Sequence, residues 1–162
     1  MGDIEIRKDV FAWFGSAVYY SNLVEVELVT LLILLSRGKN PKLQADKIDS
    51  IETRLSQKTL GGLCAELRKH SKLPPHFYDT LATILEKRNK LIHQFFYQNA
   101  TKLLSPQGCQ EMIDELVALS REFKEANKMA ESVSAHLRKL LGWDEAAIQA
   151  LVEIGMKRQS RE

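Results

Sequence analysis

The segment at positions 87–96 brings together three side chains that could do chemistry: Arg88, Asn89 and His93. An imidazole, with an ordinary pKa of about 6.5, can exchange a proton at neutral pH. A guanidinium can hold two phosphate oxygens at once, and an amide can orient either group. Together, and without a metal or a cofactor, they suffice to transfer an RNA 2′-hydroxyl onto its neighbouring phosphate.

In that reaction His93 would be the acid or the base, and Arg88 would stabilise the developing negative charge. Asn89 would support them, and Lys87 and Lys90 would attract the RNA phosphates. At about 100° per residue, Asn89 and His93 project within about 40° of each other, but Arg88 and His93 differ by about 140°. One helix alone therefore does not readily aim both catalytic groups at one phosphate, and two copies meeting about a dyad would do so more easily.

Arg88 also has a purely structural interpretation, because it occupies a core-type position and is costly to bury without a carboxylate. Glu25 is the candidate partner. Glu25 precedes Ser36 by 11 residues and Arg88 precedes Asn99 by 11, so in parallel helices both would lie at the same height. We expect a contact between Glu25 and Arg88, which in this interpretation is part of a buried polar network that fixes helix register.

Length and composition favour one soluble globular domain. The chain has 162 residues, of which 44% are apolar and 27% charged, and its net charge is +2. A core of this size can fold alone, whereas so small a net charge gives no attraction of the whole surface for nucleic acid. Any phosphate binding must therefore rest on a local cluster of basic residues.

Metal sites, disulfides and membrane insertion have little support. The cysteines, Cys64 and Cys109, lack CxxC spacing, and four scattered histidines form no zinc pattern. The amino terminus is acidic, and the uncharged run at 28–36 is shorter than the roughly 20 residues that a membrane span needs. We expect a cytoplasmic protein with no bound metal and no membrane association.

Helix breakers divide the chain into predicted helices at about 8–36, 57–70, 75–99 and 106–141, with a short one at about 144–157. The periodicity at 43–56 is weak and indicates one or two helical turns. These elements predict an all-α fold, an up-and-down four-helix bundle with an additional short C-terminal helix. The domain would span 1–162, with its core at about 8–141.

Local signals refine three of these helices. Ser105 is the expected N-cap of the fourth, with Pro106 in its first turn and Gly142 closing it. Gly61 and Gly62 indicate a close helix contact or a bend, or else a helix that begins only after them. The inward stripe of the third helix is expected to comprise Tyr78, Leu81, Leu85, Arg88, Ile92 and Phe95.

The central motif also resembles a known one. It reads Arg88-Asn89-Lys90-Leu91-Ile92-His93. An arginine directly followed by asparagine, with histidine after four intervening residues, is similar to the motif of the HEPN superfamily of all-helical proteins. The segments at 15–25 and 58–63 are similar to parts of bacterial HEPN-like proteins, so the likeness covers roughly the first hundred residues.

This resemblance implies a metal-independent endoribonuclease that acts as a homodimer, with Arg and His of both chains lining a cleft. Carried over, Arg88 and His93 would be catalytic and Asn89 supporting, in a toxin, anti-phage or RNA-processing setting. An antitoxin or other regulatory protein would be a partner. Some toxin members continue His-x-Tyr, the target of a neutralising partner, but here Gln94 and Phe95 follow the histidine, which puts that control in doubt.

A catalytically silent HEPN-like module is the alternative. It would bind RNA, a nucleotide or a protein partner, and Arg88 and Asn89 would then be binding or structural residues. RNA protection without cleavage would favour this alternative.

Overall fold

The fold is all-α, as the sequence predicts. A computed structural model describes residues 2–39 and 45–142, and within these ranges the chain forms five α-helices and no strand. They are α1 (Gly2–Lys39), α2 (Ala45–Ser56), α3 (Leu60–His70), α4 (Pro75–Gln98) and α5 (Pro106–Leu140), with a 3₁₀ turn at Lys102–Leu104 before α5. The predicted short helix at about 144–157 lies outside the described residues.

Helix α1 is the central core helix and packs most extensively against α5. Its buried positions recur every seven residues at Val10, Ala17, Val24 and Leu31, the spacing that keeps one stripe of a helix against a long neighbour. Among the described helices, the stretch Ile4–Gly38 is also long and apolar enough to cross a membrane. A core helix and a signal sequence meet the same two criteria, so the cytoplasmic location stays a prediction.

Side-chain contacts define the helix directions. The ring of Phe14 lies 5.9 Å from that of Phe95, and Glu25 pairs with Arg88, so α1 and α4 are antiparallel. The assumption that these two helices run parallel was wrong. The segment at 43–56 forms the complete helix α2, and this extra reversal of the chain inverts the direction of α4.

The predicted starts of α4 and α5 are confirmed, and α3 begins at Leu60. The side chain of Thr59 caps α3 by accepting a hydrogen bond of 3.2 Å from the backbone N–H of Gly62. Both glycines therefore lie in the first turn. A methyl group on Gly61 would lie 3.4 Å from Leu85, an ordinary contact, so the structure gives no sign of a close approach that requires glycine there.

The inward stripe of α4 is rotated relative to the predicted one. Leu81 and Phe95 are buried as expected, but Ile92 is 36% exposed. Its place in the core is taken by residues on the side of α4 that faces α5, because α4 packs against α5 as well as against α1 and α3. The buried set is Phe77, Leu81, Ile84, Leu91 and Phe95.

The start of α5 is packed against the preceding 3₁₀ turn. Ser105 caps the helix as predicted, accepting a 3.1 Å hydrogen bond from the N–H of Gly108. A side-chain carbon on Gly108 would overlap the backbone carbonyl of Lys102 and lie 2.7 Å from its Cα. Gly108 is therefore required by close backbone approach.

We expect Gly108→Ala to lower the free energy of unfolding by about 1–3 kcal/mol, because backbone atoms of the turn must move to admit the methyl group. Chemical denaturation measures the change. Gly15→Ala is the matched control, since Gly15 is an exposed helical position with nothing within 4 Å of the added carbon. In Gly15→Ala the free energy of unfolding should rise by up to about 1 kcal/mol. A Gly108→Ala protein as stable as Gly15→Ala would contradict the packing argument.

Among the described residues, Glu66 on α3 has three partners, of which Arg54 lies on α2, Lys58 in the connection between α2 and α3, and His70 on α3 itself. Its carboxylate lies 3.9 Å from Arg54, 3.5 Å from Lys58 and 3.3 Å from His70. Burial raises the pKa of Glu66, but the charge of Lys58, hydrogen bonds from His70 and Lys58, and the charge of Arg54 together lower it below 4.5. Because the folded pKa is depressed, this stabilisation is present above the unfolded pKa and is lost as the pH falls through the folded value.

Glu66→Gln should therefore lower the free energy of unfolding by about 0.5 kcal/mol at pH 7, a small effect because Arg54, Lys58 and His70 are all partly exposed. The difference between variant and wild type should shrink as the pH falls below the unfolded pKa of about 4.3 and vanish only below the depressed folded pKa. Urea denaturation from pH 3 to pH 7 measures it. A difference that stays constant over this range would show that charge on Glu66 is not its cause.

Candidate active site on helix α4

Helix α4 presents the candidate residues on opposite sides. Pro75 lies in its first turn, where a missing N–H costs nothing, and buried Leu91 and Phe95 fix its rotation against the core. Arg88 then faces α1, at the edge of the core, whereas His93 is exposed. The rotation of α4 about its axis therefore places Arg88 against α1 and leaves His93 in solvent.

The expected contact between Glu25 and Arg88 is present. The Nη2 atom of Arg88 lies 3.1 Å from Oε1 of Glu25, and the two side chains are 23% and 24% exposed. They meet because both lie near the middle of antiparallel helices, and not at equal heights of parallel ones. Glu25 is therefore placed to hold Arg88, whatever function the arginine has.

The hydrogen-bonding capacity of this ion pair is not filled. Oε1 of Glu25 and Nε of Arg88 are buried, and neither has a hydrogen-bond partner within the described ranges. The pair is close in distance but not aligned as a hydrogen bond. A guanidinium carries five N–H groups, and the buried Nε donor of Arg88 is not used by any of the described residues.

Asn89 is brought to Arg88 and not to His93. Its Oδ1 accepts a long hydrogen bond of 3.4 Å from Nη1 of Arg88. In the part of the chain that the structure covers, Asn89 makes no hydrogen bond to His93, although both are exposed and one helical turn apart. The expected support of the histidine by the asparagine is thus not formed in a single chain.

His93 lies on the solvent side of α4, about 140° round the helix from Arg88. It is exposed, and no hydrogen bond or ion pair ties it to any side chain of 2–39 or 45–142. One chain therefore does not bring Arg88 and His93 together, in agreement with the spacing in the sequence. An exposed imidazole without a partner is free to meet a ligand or a second copy.

The two lysines expected to bind phosphate both have carboxylate partners. Lys87 pairs with Glu122 and so joins α4 to α5, on a side of α4 about 120° from His93. Lys90 lies 2.7 Å from Glu86, one turn earlier on the exposed face. The hydrogen bond from Lys90 and its charge lower the pKa of the Glu86 carboxyl. Of the two, only Lys90 shares the face of His93.

An apolar patch adjoins Arg88 that sequence reasoning missed. It consists of Phe11, Ile92 and Phe96, defined here as the α1–α4 patch. The ring of Phe11 is 5.4 Å from that of Phe96, and Phe11 and Ile92 are exposed. The sequence did not indicate this patch, because the spacing of Ile92 from the other apolar residues of α4 predicts that it is buried. Its exposure leaves an apolar surface beside the ion pair.

Tyr97 is the second feature that the sequence analysis missed. It follows His93 by one turn and is 88% exposed. Asn89, His93 and Tyr97 follow one another at a spacing of four residues, which predicts that all three lie on one face of the helix.

Other reactive groups do not add to this site. Burial raises the pKa of the half-buried Cys64 thiol to about 11, so it is protonated and weakly nucleophilic at neutral pH. In the described segments, no three His, Cys, Asp or Glu side chains are grouped to hold a metal ion. The candidate groups for chemistry are therefore those of α4 itself.

No family model, curated protein or solved structure matches this chain. The likeness to the HEPN superfamily therefore rests on the motif at 88–93 and the segments at 15–25 and 58–63.

Proposed function

We propose that this protein is a metal-independent endoribonuclease of HEPN type, in which Arg88 and His93 are catalytic and Asn89 is supporting. One observation carries the proposal: Glu25 holds Arg88, whose side chain stays 23% exposed, while His93 lies exposed on the same helix with no hydrogen-bond or ion-pair partner among the described residues. Phosphate binding needs the first and proton transfer the second.

The proposed enzyme acts as a homodimer. Because Arg88 and His93 point about 140° apart on one helix, a phosphate would contact both only where two copies of α4 meet. In a symmetric contact, the arginine of one copy can approach the histidine of the other. The α1–α4 patch beside Arg88 supplies exposed apolar surface for such a contact.

In the proposed reaction, the 2′-oxygen of a ribose attacks the adjacent phosphorus and the bond to the 5′-oxygen of the next nucleotide breaks. His93 accepts the proton of the 2′-hydroxyl or donates one to the leaving 5′-oxygen. Arg88 stabilises the charge that develops on the phosphate oxygens. The products carry a 2′,3′-cyclic phosphate and a 5′-hydroxyl.

The biological setting is proposed from the resemblance alone. A toxin or an anti-phage defence enzyme in the cytoplasm would need restraint by an antitoxin or another regulatory protein. Such a partner would most simply act by covering the exposed face of α4 that carries His93.

The test is incubation of the purified protein with RNA in the presence of EDTA. We expect cleavage at an unchanged rate when the chelator is added, with cyclic phosphate at the new 3′ ends. Cleavage that EDTA abolishes would contradict the metal-independent mechanism. Fragments bearing 5′-phosphates would contradict attack by the 2′-hydroxyl.

The second candidate function is a non-catalytic module that binds RNA, a nucleotide or a protein partner. It is favoured by the ion pairs of Arg88, Lys87 and Lys90, because each of these three cations already has a carboxylate partner within the chain. RNA that is protected from an added nuclease but never cut would favour this function.

A further inference from the structure

The exposed face of α4 carries an aromatic side chain next to the candidate catalytic histidine. Lys90, His93 and Tyr97 follow one another at spacings of three and four residues, so they form one strip along the helix. Tyr97 is 88% exposed. It makes no hydrogen bond or ring contact with any residue of the described ranges.

The two tyrosines of α1 are engaged within the protein. Tyr19 is 58% exposed, but its ring packs edge-on against that of Tyr20 at 5.3 Å. Tyr20 in turn lies under the ammonium group of Lys124, 4.2 Å from the ring centre. Among the tyrosines, Tyr97 therefore offers the ring that is freest for a ligand.

Nucleic-acid bases are suited to such a ring. Every base has a flat π-face, so stacking on an aromatic side chain tolerates any sequence. The base must be unpaired and turned out of its own stack, as in single strands and loops. Lys90, on the same strip, adds a cation beside the strand, although its pairing with Glu86 reduces that charge.

Resting on the proposed function, we propose that Tyr97 is a positioning residue that stacks on an unpaired base next to the phosphate at His93. His93 and Tyr97 are one turn apart, with Cβ atoms about 5–6 Å from each other. A nucleotide whose base lies on Tyr97 thus carries its own backbone past the imidazole. The inferred substrate is a single strand, because a duplex offers no free base face.

Binding of 2′-O-methyl oligonucleotides tests this proposal without cleavage, because they lack the attacking hydroxyl. A fluorescent single strand and its duplex are titrated with wild type and with Tyr97→Ala, Tyr97→Phe and Tyr19→Ala proteins. We expect Tyr97→Ala to raise the Kd for the single strand by roughly 5- to 100-fold. Tyr97→Phe, which keeps the ring, and Tyr19→Ala, the matched surface control, should bind as wild type does.

Three results would overturn the inference: equal binding by Tyr97→Ala and wild type, duplex binding as tight as that of the single strand, or binding of neither. Failure of the proposed function looks different. In that case unmodified RNA is not cleaved, even if the 2′-O-methyl strand binds through Tyr97. Cleavage that depends on His93 but not on Tyr97 would retain the enzyme and remove only the stacking role.

Discussion

His93→Ala is expected to slow RNA cleavage by about 100- to 10,000-fold, the usual loss when a positioned acid or base is removed. Its fold should be unaffected, because His93 is exposed and has no partner in the described part of the chain. The free energy of unfolding should change by no more than about 0.5 kcal/mol. Initial cleavage rates and denaturation curves of the same preparation measure both quantities.

His76→Ala is the matched control for this variant. His76 is an exposed histidine in the first turn of the same helix, more than four turns from His93, so its loss should leave the cleavage rate unchanged. Equal rates for wild type and His93→Ala would remove His93 from the mechanism and attribute any cleavage to another group or a contaminant.

Arg88→Ala is expected to lower the free energy of unfolding by about 1–3 kcal/mol and also to abolish cleavage. It leaves the Glu25 carboxylate, which is only 24% exposed, without its counter-charge. The removal of one partner of a fully buried pair costs about 3–5 kcal/mol, and partial exposure reduces that cost. Stability alone would therefore not reveal whether Arg88 is catalytic.

Arg88→Lys separates the two roles of this residue. A lysine keeps the positive charge beside Glu25, so the stability should fall by less than about 1 kcal/mol. An ammonium cannot hold two phosphate oxygens in the planar fork of a guanidinium, so cleavage should still fall by about 100-fold. A stable Arg88→Lys protein with full activity would show that cleavage does not need the two-oxygen grip of a guanidinium at this position.

Much of the fold could be predicted because its signals are local. Ser105 and Pro106 mark the start of α5. The direction of α4 could not be predicted, because it depends on whether the weakly periodic segment at 43–56 forms a helix. That segment is stabilised by tertiary contacts such as buried Leu55, and propensity alone does not report these.

The candidate site shows the same division. The angle between Arg88 and His93 follows from helix geometry, and the pairing of Arg88 with Glu25 from the cost of burying a lone charge. The exposure of Ile92 and the pairing of Lys87 with Glu122 depend on which sides of α4 its neighbours cover. The apolar periodicity of α4 alone does not show which of its sides the neighbouring helices cover.

The central claim is that Arg88 of one copy and His93 of another form one RNA-cleaving site. Mixing Arg88→Lys with His93→Ala protein, after dissociation and reassociation, tests it most directly. Each variant alone should be nearly inactive, and the mixture should recover about one quarter of the wild-type rate per chain. Half of the randomly formed dimers are mixed, and each holds one intact site of two. No recovery in the mixture, where wild type is active, would contradict a site shared between copies, and an inactive wild type would contradict the enzyme itself.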